Sequence, residues 1–243
     1  MLKKSLFVFV TVLALTACQE KHVVTTPSMA LFAEQEANVD PYQTRIIVDK
    51  NYMRMDGGTE TKDFVLLDRK AKMIYSVNSD NKTIMTIAMR AVDVKPPYKL
   101  DMETNKVESL KDAPTIDNKK PEHYAFSVNN KVCFEAVVVK GMLPDMVEAM
   151  KTFAEILAGD SAVTFNNVPA DVQNACDMAG NTFAPTRQLQ IGFPIQEWKK
   201  GYSRTLLKFE KDYKIDPKLF ELPKDYFQFA VQDFREGKVK IPE

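Results

Sequence analysis

The sequence predicts an α+β domain in which a curved antiparallel sheet is covered by helices. Short β-prone runs recur about every ten residues between positions 45 and 89, and turn-forming residues such as Asp56-Gly57-Gly58 separate them. This spacing is typical of an antiparallel meander. Ile84, Met85 and Ile87 place apolar groups on both faces of one strand, so the second face needs cover by another element.

The expected strands fall into two groups. The first group comprises residues 45–48, 51–55, 64–67, 73–77 and 83–89. Residues 93–121 are polar and carry four prolines, which argues against a central strand and leaves one short edge strand near 99–102. A hairpin follows at 123–128 and 132–139, joined by the turn Asn129-Asn130. Further strands are expected at 188–195 and 204–209.

Apolar residues at helical spacing predict the principal helix after the hairpin. It should run from about Pro144, which suits a first helical turn, to Ala158, with Gly159 as its stop. A second short helix is expected at 169–179. A closing helix is expected over 227–234, ending near Gly237.

The N-terminus has the pattern of an export signal. Lys3 and Lys4 precede an apolar run of about ten residues, which is too short to span a bilayer. The run ends in Leu15-Thr16-Ala17-Cys18, which resembles the lipobox of bacterial lipoproteins. The resemblance implies cleavage before Cys18 and diacylglycerol and palmitate chains on the new terminus. An ordinary secretory signal with an incidental Cys18 is the alternative.

The chain is therefore predicted to have three parts. Residues 1–17 form the signal peptide, 18–41 a lipidated flexible tether, and 42–243 a single periplasmic domain. Gln19 follows the cysteine where an Asp would favour retention in the inner membrane. We therefore expect a lipid-anchored protein on the periplasmic face of the outer membrane, with the lipid as its only attachment to the membrane.

Composition and motifs argue against several classes of function. Removal of Lys3 and Lys4 with the signal leaves 31 of the 33 basic residues against 33 acidic ones, which gives no basic surface for nucleic acid. No nucleophile elbow, phosphate-binding loop or dinucleotide fingerprint occurs. The two histidines, His22 and His123, lie in the tether and at a strand start. We expect no enzyme activity, no cofactor and no metal site.

Two cysteines remain once Cys18 is lipidated. Because the predicted compartment is oxidising, we expect a Cys133–Cys176 disulfide that ties the hairpin to the second helix. Two separately buried thiols are the alternative.

Two stretches carry a resemblance to a known family. The strands containing Tyr52-x-Arg54-Met55 and residues 73–77 resemble periplasmic domains related to the outer-membrane lipoprotein carrier and receptor (LolA/LolB-like). The terminal run Leu219-Phe220-x-Leu222-Pro223 resembles an uncharacterised branch of that group. The resemblance implies an incomplete antiparallel barrel with helices in its concave face.

The sequence leaves two functions open. Methionine adapts to varied apolar partners, so a methionine-lined cleft under the principal helix could bind an acyl chain, a lipid or a hydrophobic partner segment without catalysis. The alternative is a structural or assembly lipoprotein that acts through its surface and has no cavity. The cleft candidates are Met146, Met150 and Phe153 from the helix, and Met53, Met55, Tyr75 and Met85 from the sheet.

Overall fold

The fold is mainly β, and the predicted α+β class is wrong. The computed structural model describes residues 26–58, 62–108, 110, 112–169 and 172–240, and 19% of the chain is helical. All the strands in that part of the chain belong to one mixed sheet of 12 strands. The prediction failed because strands such as Ser28–Glu36 lie in stretches that looked like a tether, a polar excursion or a helix.

Twelve strands and three α-helices make up the described part of the chain. The strands are β1 Ser28–Glu36, β2 Tyr42–Val48, β3 Tyr52–Asp56, β4 Phe64–Asp68, β5 Met73–Asn78, β6 Thr83–Ala88, β7 Met102–Val107, β8 Glu122–Val128, β9 Lys131–Val139, β10 Phe193–Lys199, β11 Tyr202–Lys211 and β12 Phe227–Ala230. The helices are α1 Pro144–Phe165, α2 Ala175–Met178 and α3 Val231–Arg235. A π-helical turn, Ala179–Phe183, continues α2, and a 3₁₀ turn spans Pro217–Phe220.

Strand β1 joins the two halves of the sheet. The order is β12-β6-β5-β4-β3-β2-β1-β11-β10-β9-β8-β7, and each neighbouring pair is antiparallel except β12 with β6. Ala30 and Phe32 of β1 are completely buried. The predicted flexible tether is therefore wrong for residues 28–36, because their apolar side chains form part of the core. The boundary expected at residue 42 is wrong for the same reason.

Helix α1 packs on one face of the sheet and closes the main core. It contacts β2, β3, β5, β6 and β10. The core beneath it contains buried side chains from eight strands and from α1, including Phe32, Ile46, Leu67, Ile74 and Phe193. Burial of this many apolar side chains is the main force that holds the sheet and the helix together.

A buried ion network lies on β2 and β3. The Asp56 carboxylate is fully buried and accepts hydrogen bonds from Arg45 at 2.9 Å and from Arg54 at 2.7 Å. Arg54 also donates to the Leu219 carbonyl, at 2.7 Å, which ties the 3₁₀ turn to the sheet. Burial alone would raise the pKa of the Asp56 carboxyl, but the hydrogen bonds from the two guanidinium groups and from the Gly58 amide lower it below its usual value.

The remaining element boundaries differ from the predictions in specific ways. Residues 227–230 form the parallel edge strand β12, and only the segment from Val231 onward is helical, so the closing helix is half right. Strand β7 begins at Met102, where the expected edge strand near 99–102 ends. Helix α1 does not stop at Gly159 but continues to Phe165. Gly159 instead allows a close backbone contact between α1 and Arg90.

Candidate functional site

The predicted cleft residues mostly belong to the main core. Met53 and Met146 are at most 1% exposed and Met150 is 9% exposed. Met55, Met85 and Phe153 are partly buried and pack against the same cluster. The structure therefore brings six of the seven candidates together, with α1 above them and the sheet below.

Tyr75 does not join the other six candidates. It packs in a second apolar cluster with Phe64, Leu66, Val77 and Ile84. Along β5 the side chains alternate between faces, so Tyr75 and the core residue Ile74 point to opposite sides of the sheet. The sequence left the register of this strand open, and the register decides which of the two faces the helix.

The predicted disulfide is confirmed. Cys133 on β9 and Cys176 on α2 are bonded, with their Cα atoms 5.2 Å apart. The bond fixes the four-residue helix α2, and with it the π-helical turn that follows directly, to the sheet. A helix this short has little stability of its own.

An open groove runs along α1 on the side of this π-helical turn, and we call it the α1 groove. Its volume is about 630 Å³, which lies in the range of ligand sites in proteins. Three segments form its walls: the chain after β6, helix α1, and the π-helical turn with the loop that follows. The lining residues are Met89, Arg90, Val92, Val94, Glu155, Ala158, Thr182, Phe183, Ala184, Pro185, Thr186 and Gln190.

Gly159 sets the distance between two of these walls. A Cβ at this position would overlap the carbonyl oxygen of Arg90 and would lie 3.0 Å from its carbonyl carbon. The chain after β6 therefore crosses α1 in direct backbone contact, which only glycine permits. This crossing holds Met89 and Arg90 at the edge of the groove.

The groove lining includes one cation and one anion among its apolar and polar side chains. Arg90 and Glu155 are both exposed, and within the described ranges neither makes a hydrogen bond or an ion pair. The charge of Arg90 does reach Glu236. Hydrogen bonds from Gln232 and Lys238 lower the pKa of the Glu236 carboxyl, and the charge of Arg90 adds to that shift.

The π-helical turn supplies the opposite wall. Thr182 is 5% exposed and also lines a smaller hollow of about 270 Å³ at the end of α1, so the two hollows adjoin. Phe183 packs edge-on against Phe165, with ring centroids 5.3 Å apart. Turns of π-helix are rare and often occur at functional sites.

Sequence reasoning missed this groove. The sequence predicts a strand that ends at residue 89 and a polar excursion that begins at residue 93, and it assigns no element to residues 90–92. The apolar Val92 and Val94 alternate with Asp93 and Lys95, which was the one available signal of a wall with an apolar side. The loop after the π-helical turn gave no comparable pattern.

His123 lies outside the α1 groove. Its Nε2 atom is 2.7 Å from the Glu135 carboxylate, and its ring packs 5.1 Å from Trp198. The Trp198 indole N–H donates to the other oxygen of Glu135, at 3.3 Å. These contacts fix the three side chains across β8, β9 and β10. Across the described ranges, no group of three or more His, Cys, Asp or Glu residues is arranged to hold a metal ion.

The sequence predicts that a lipid on Cys18 is the only attachment of the chain to the membrane. The lipobox cysteine, Cys18, lies outside the described residues, as do the signal peptide and the first part of the tether. In the part of the chain that the structure covers, no helix is both long and apolar enough to cross a bilayer.

Comparisons with known proteins give similarity in fold only at a low level. No protein-family model matches the chain, and no curated protein matches it. An uncharacterized conserved protein from Thermus thermophilus is 9% identical, with a TM-score of 0.42 over 85% of this chain and 91% of that one. Two structures of PNGF-II are 8% identical, also with TM-scores of 0.42. They align with 88% and 87% of this chain, which spans only about a third of theirs.

Proposed function

We propose that the protein is a non-enzymatic lipoprotein of the bacterial envelope that binds an apolar ligand or a hydrophobic partner segment in the α1 groove. The observation that carries this proposal is the groove itself, which is large enough for a ligand and whose lining includes the apolar side chains of Val92, Val94, Ala158, Phe183 and Pro185. The methionines beneath α1 are packed too closely against the sheet to be its lining.

The proposed location follows from the sequence. The lipobox at Cys18 and the residue after it favour a lipid anchor in the outer membrane, with the domain in the periplasm. A Cys18→Ser substitution should then move the chain from the membrane fraction to the soluble periplasmic fraction. Unchanged fractionation with the membrane would contradict the lipid anchor.

Binding is tested with the same Cys18→Ser chain, so that no anchor lipid competes for the site. A fluorescent fatty acid should bind saturably with about one site per chain. Phe183→Ala should weaken the binding, because it removes an aromatic wall of the groove. The matched control, Phe134→Ala, removes a ring that stacks on Phe126 in a separate cluster and should leave affinity unchanged. Binding that does not saturate would contradict the proposal.

A surface-acting assembly protein is the second candidate. Phe227 and Phe234 are 41% and 46% exposed and flank the more buried Phe229 at the edge of the sheet. Exposed aromatic residues that cluster in this way are a feature of protein interaction sites. If the fatty acid fails to bind, loss of a co-purifying partner in a Phe227→Ser and Phe234→Ser double variant would favour this candidate.

A further inference from the structure

We propose that the α1 groove selects a single-chain amphiphile with a zwitterionic headgroup, whose phosphate faces Arg90 and whose ammonium faces Glu155. This inference rests on the proposed function, because it names the class of ligand for the same groove. It is drawn from two features of the walls: their apolar surface and the pair of opposite, unbonded charges upon them.

The apolar part of the groove suits one alkyl chain. Val92 and Val94 form one wall, and Ala158 of α1 forms the floor beside them. Phe183 of the π-helical turn and Pro185 of the loop after it also line the groove. An alkyl chain laid along these side chains would remove part of its surface from water, which is the main source of affinity for an apolar ligand.

In the part of the chain that the structure describes, Glu155 of α1 and Arg90 of the chain after β6 lack the ion pairs that other charged residues of α1 make. Lys151 of α1 bonds Glu148 at 2.7 Å, and Asp160 of α1 bonds Arg235 at 2.5 and 2.7 Å. Glu155, which lies between these two acidic residues along α1, has no such partner among the described residues. Arg90 also makes no hydrogen bond or ion pair among the described residues, and only its charge reaches Glu236, so both groups can bond a ligand.

The combination of charges favours a zwitterionic headgroup over a purely anionic or purely cationic one. An anionic headgroup would bond Arg90 but would be repelled by Glu155, and a cationic one would meet the reverse problem. A headgroup with both charges satisfies both side chains and repels neither. A phosphate matches the planar guanidinium of Arg90, and a primary ammonium can donate to the carboxylate of Glu155.

The test compares amphiphiles that share one alkyl chain. The Cys18→Ser chain is titrated calorimetrically with dodecyl phosphoethanolamine, dodecyl phosphate, dodecylamine and neutral dodecyl maltoside, each below its micelle concentration. We expect the zwitterion to bind most tightly, by about tenfold over the neutral compound, as a charge-assisted hydrogen bond would give.

Charge variants test whether Arg90 and Glu155 cause the preference for the zwitterion. Arg90→Gln should weaken the zwitterion and dodecyl phosphate alike by about tenfold, whereas Glu155→Gln should weaken the zwitterion but strengthen dodecyl phosphate. The exchange variant Arg90→Glu with Glu155→Arg should recover most of the zwitterion's affinity. Glu221→Gln, which changes an exposed carboxylate outside the groove lining, is the control and should change nothing.

The outcomes separate this inference from the proposed function. If all four amphiphiles bind saturably with equal affinity, the groove binds apolar ligands but the headgroup selection is wrong. If the charge variants leave the preference for the zwitterion unchanged, the assignment to Arg90 and Glu155 is wrong. If no amphiphile binds, the proposed function and this inference both fail.

Discussion

Gly159 of α1 and Arg90 of the chain after β6 meet through their backbones, and the space of a Cβ on the glycine is already filled by the arginine carbonyl. This contact brings the chain that follows β6 against the helix. It thereby creates one edge of the α1 groove, so the groove depends on a residue that lines none of its surface.

The first prediction concerns this contact. Gly159→Ala should push the chain at residues 89–92 away from α1, reduce the free energy of unfolding by about 1–3 kcal/mol, as overpacking does, and weaken fatty-acid binding. Denaturant unfolding and fluorescence titration measure the two effects. Gly180→Ala is the matched control, because a Cβ there meets no atom within 4 Å. If Gly159→Ala and Gly180→Ala have the same free energy of unfolding and the same fatty-acid affinity, the tight crossing at Gly159 is contradicted.

The second prediction separates core from cleft beneath α1. Met150 is 9% exposed in the main core, so Met150→Ala should cost about 2–5 kcal/mol of unfolding free energy. Leu157 on the same helix is 38% exposed, and Leu157→Ala should change stability by only about 0.5 kcal/mol. A small loss of unfolding free energy in Met150→Ala would instead support the methionine-lined cleft beneath α1.

The third prediction concerns the disulfide. The Cys133–Cys176 bond has a sequence separation of 43 residues, for which the chain-entropy model gives a stabilisation of about 4 kcal/mol. Urea unfolding should therefore occur at lower denaturant after reduction. Thiol labelling of the denatured, unreduced Cys18→Ser chain should find no free thiol, and two labels per chain would refute the bond.

The fourth prediction is a pH dependence at Asp56. Its pKa is lowered in the folded protein, so its contribution to stability is present above the unfolded pKa, near 3.8. That contribution is lost as the pH falls through the lower folded value. Asp56→Asn should cost about 3–5 kcal/mol at neutral pH, because it leaves two guanidinium groups without their buried anion.

The pH profile provides the control for that prediction. The acid-side loss of stability should be shallower in Asp56→Asn than in the parent chain, since the variant has no carboxylate to protonate. Asp63, an exposed turn residue that bonds Ser79, is the comparison. If Asp56→Asn and Asp63→Asn give the same profile, the buried network does not govern acid unfolding.

Local sequence signals predicted some elements well and others not at all. The meander strands and the hairpin were predictable because turn residues separate their apolar runs, and the Cys133–Cys176 pair followed from the compartment. Strand β1 was missed because Met29 to Ala33 is a short apolar run among polar residues, and one of its two neighbours in the sheet is β11, which lies more than 160 residues away in the chain. Such distant pairing leaves no local pattern.

The candidate site was less predictable than the fold. The methionine spacing correctly indicated which side chains meet under α1, but residue type alone cannot distinguish a filled core from an open cleft. The groove depends on where a loop crosses a helix. Gly159 was predicted to end the helix, because a glycine that follows a run of apolar residues at helical spacing usually marks a helix C-terminus.

The most direct test of the account maps the ligand on the chain. A photoreactive fatty acid is crosslinked to the Cys18→Ser chain, with and without excess unlabelled fatty acid, and the modified peptides are identified by mass spectrometry. Ligand in the α1 groove should label residues 89–94 and 182–190, and the competitor should abolish that labelling. If the ligand instead labels Met53, Met146 or Met150, and the competitor abolishes that labelling, the ligand lies beneath the helix and the account is contradicted.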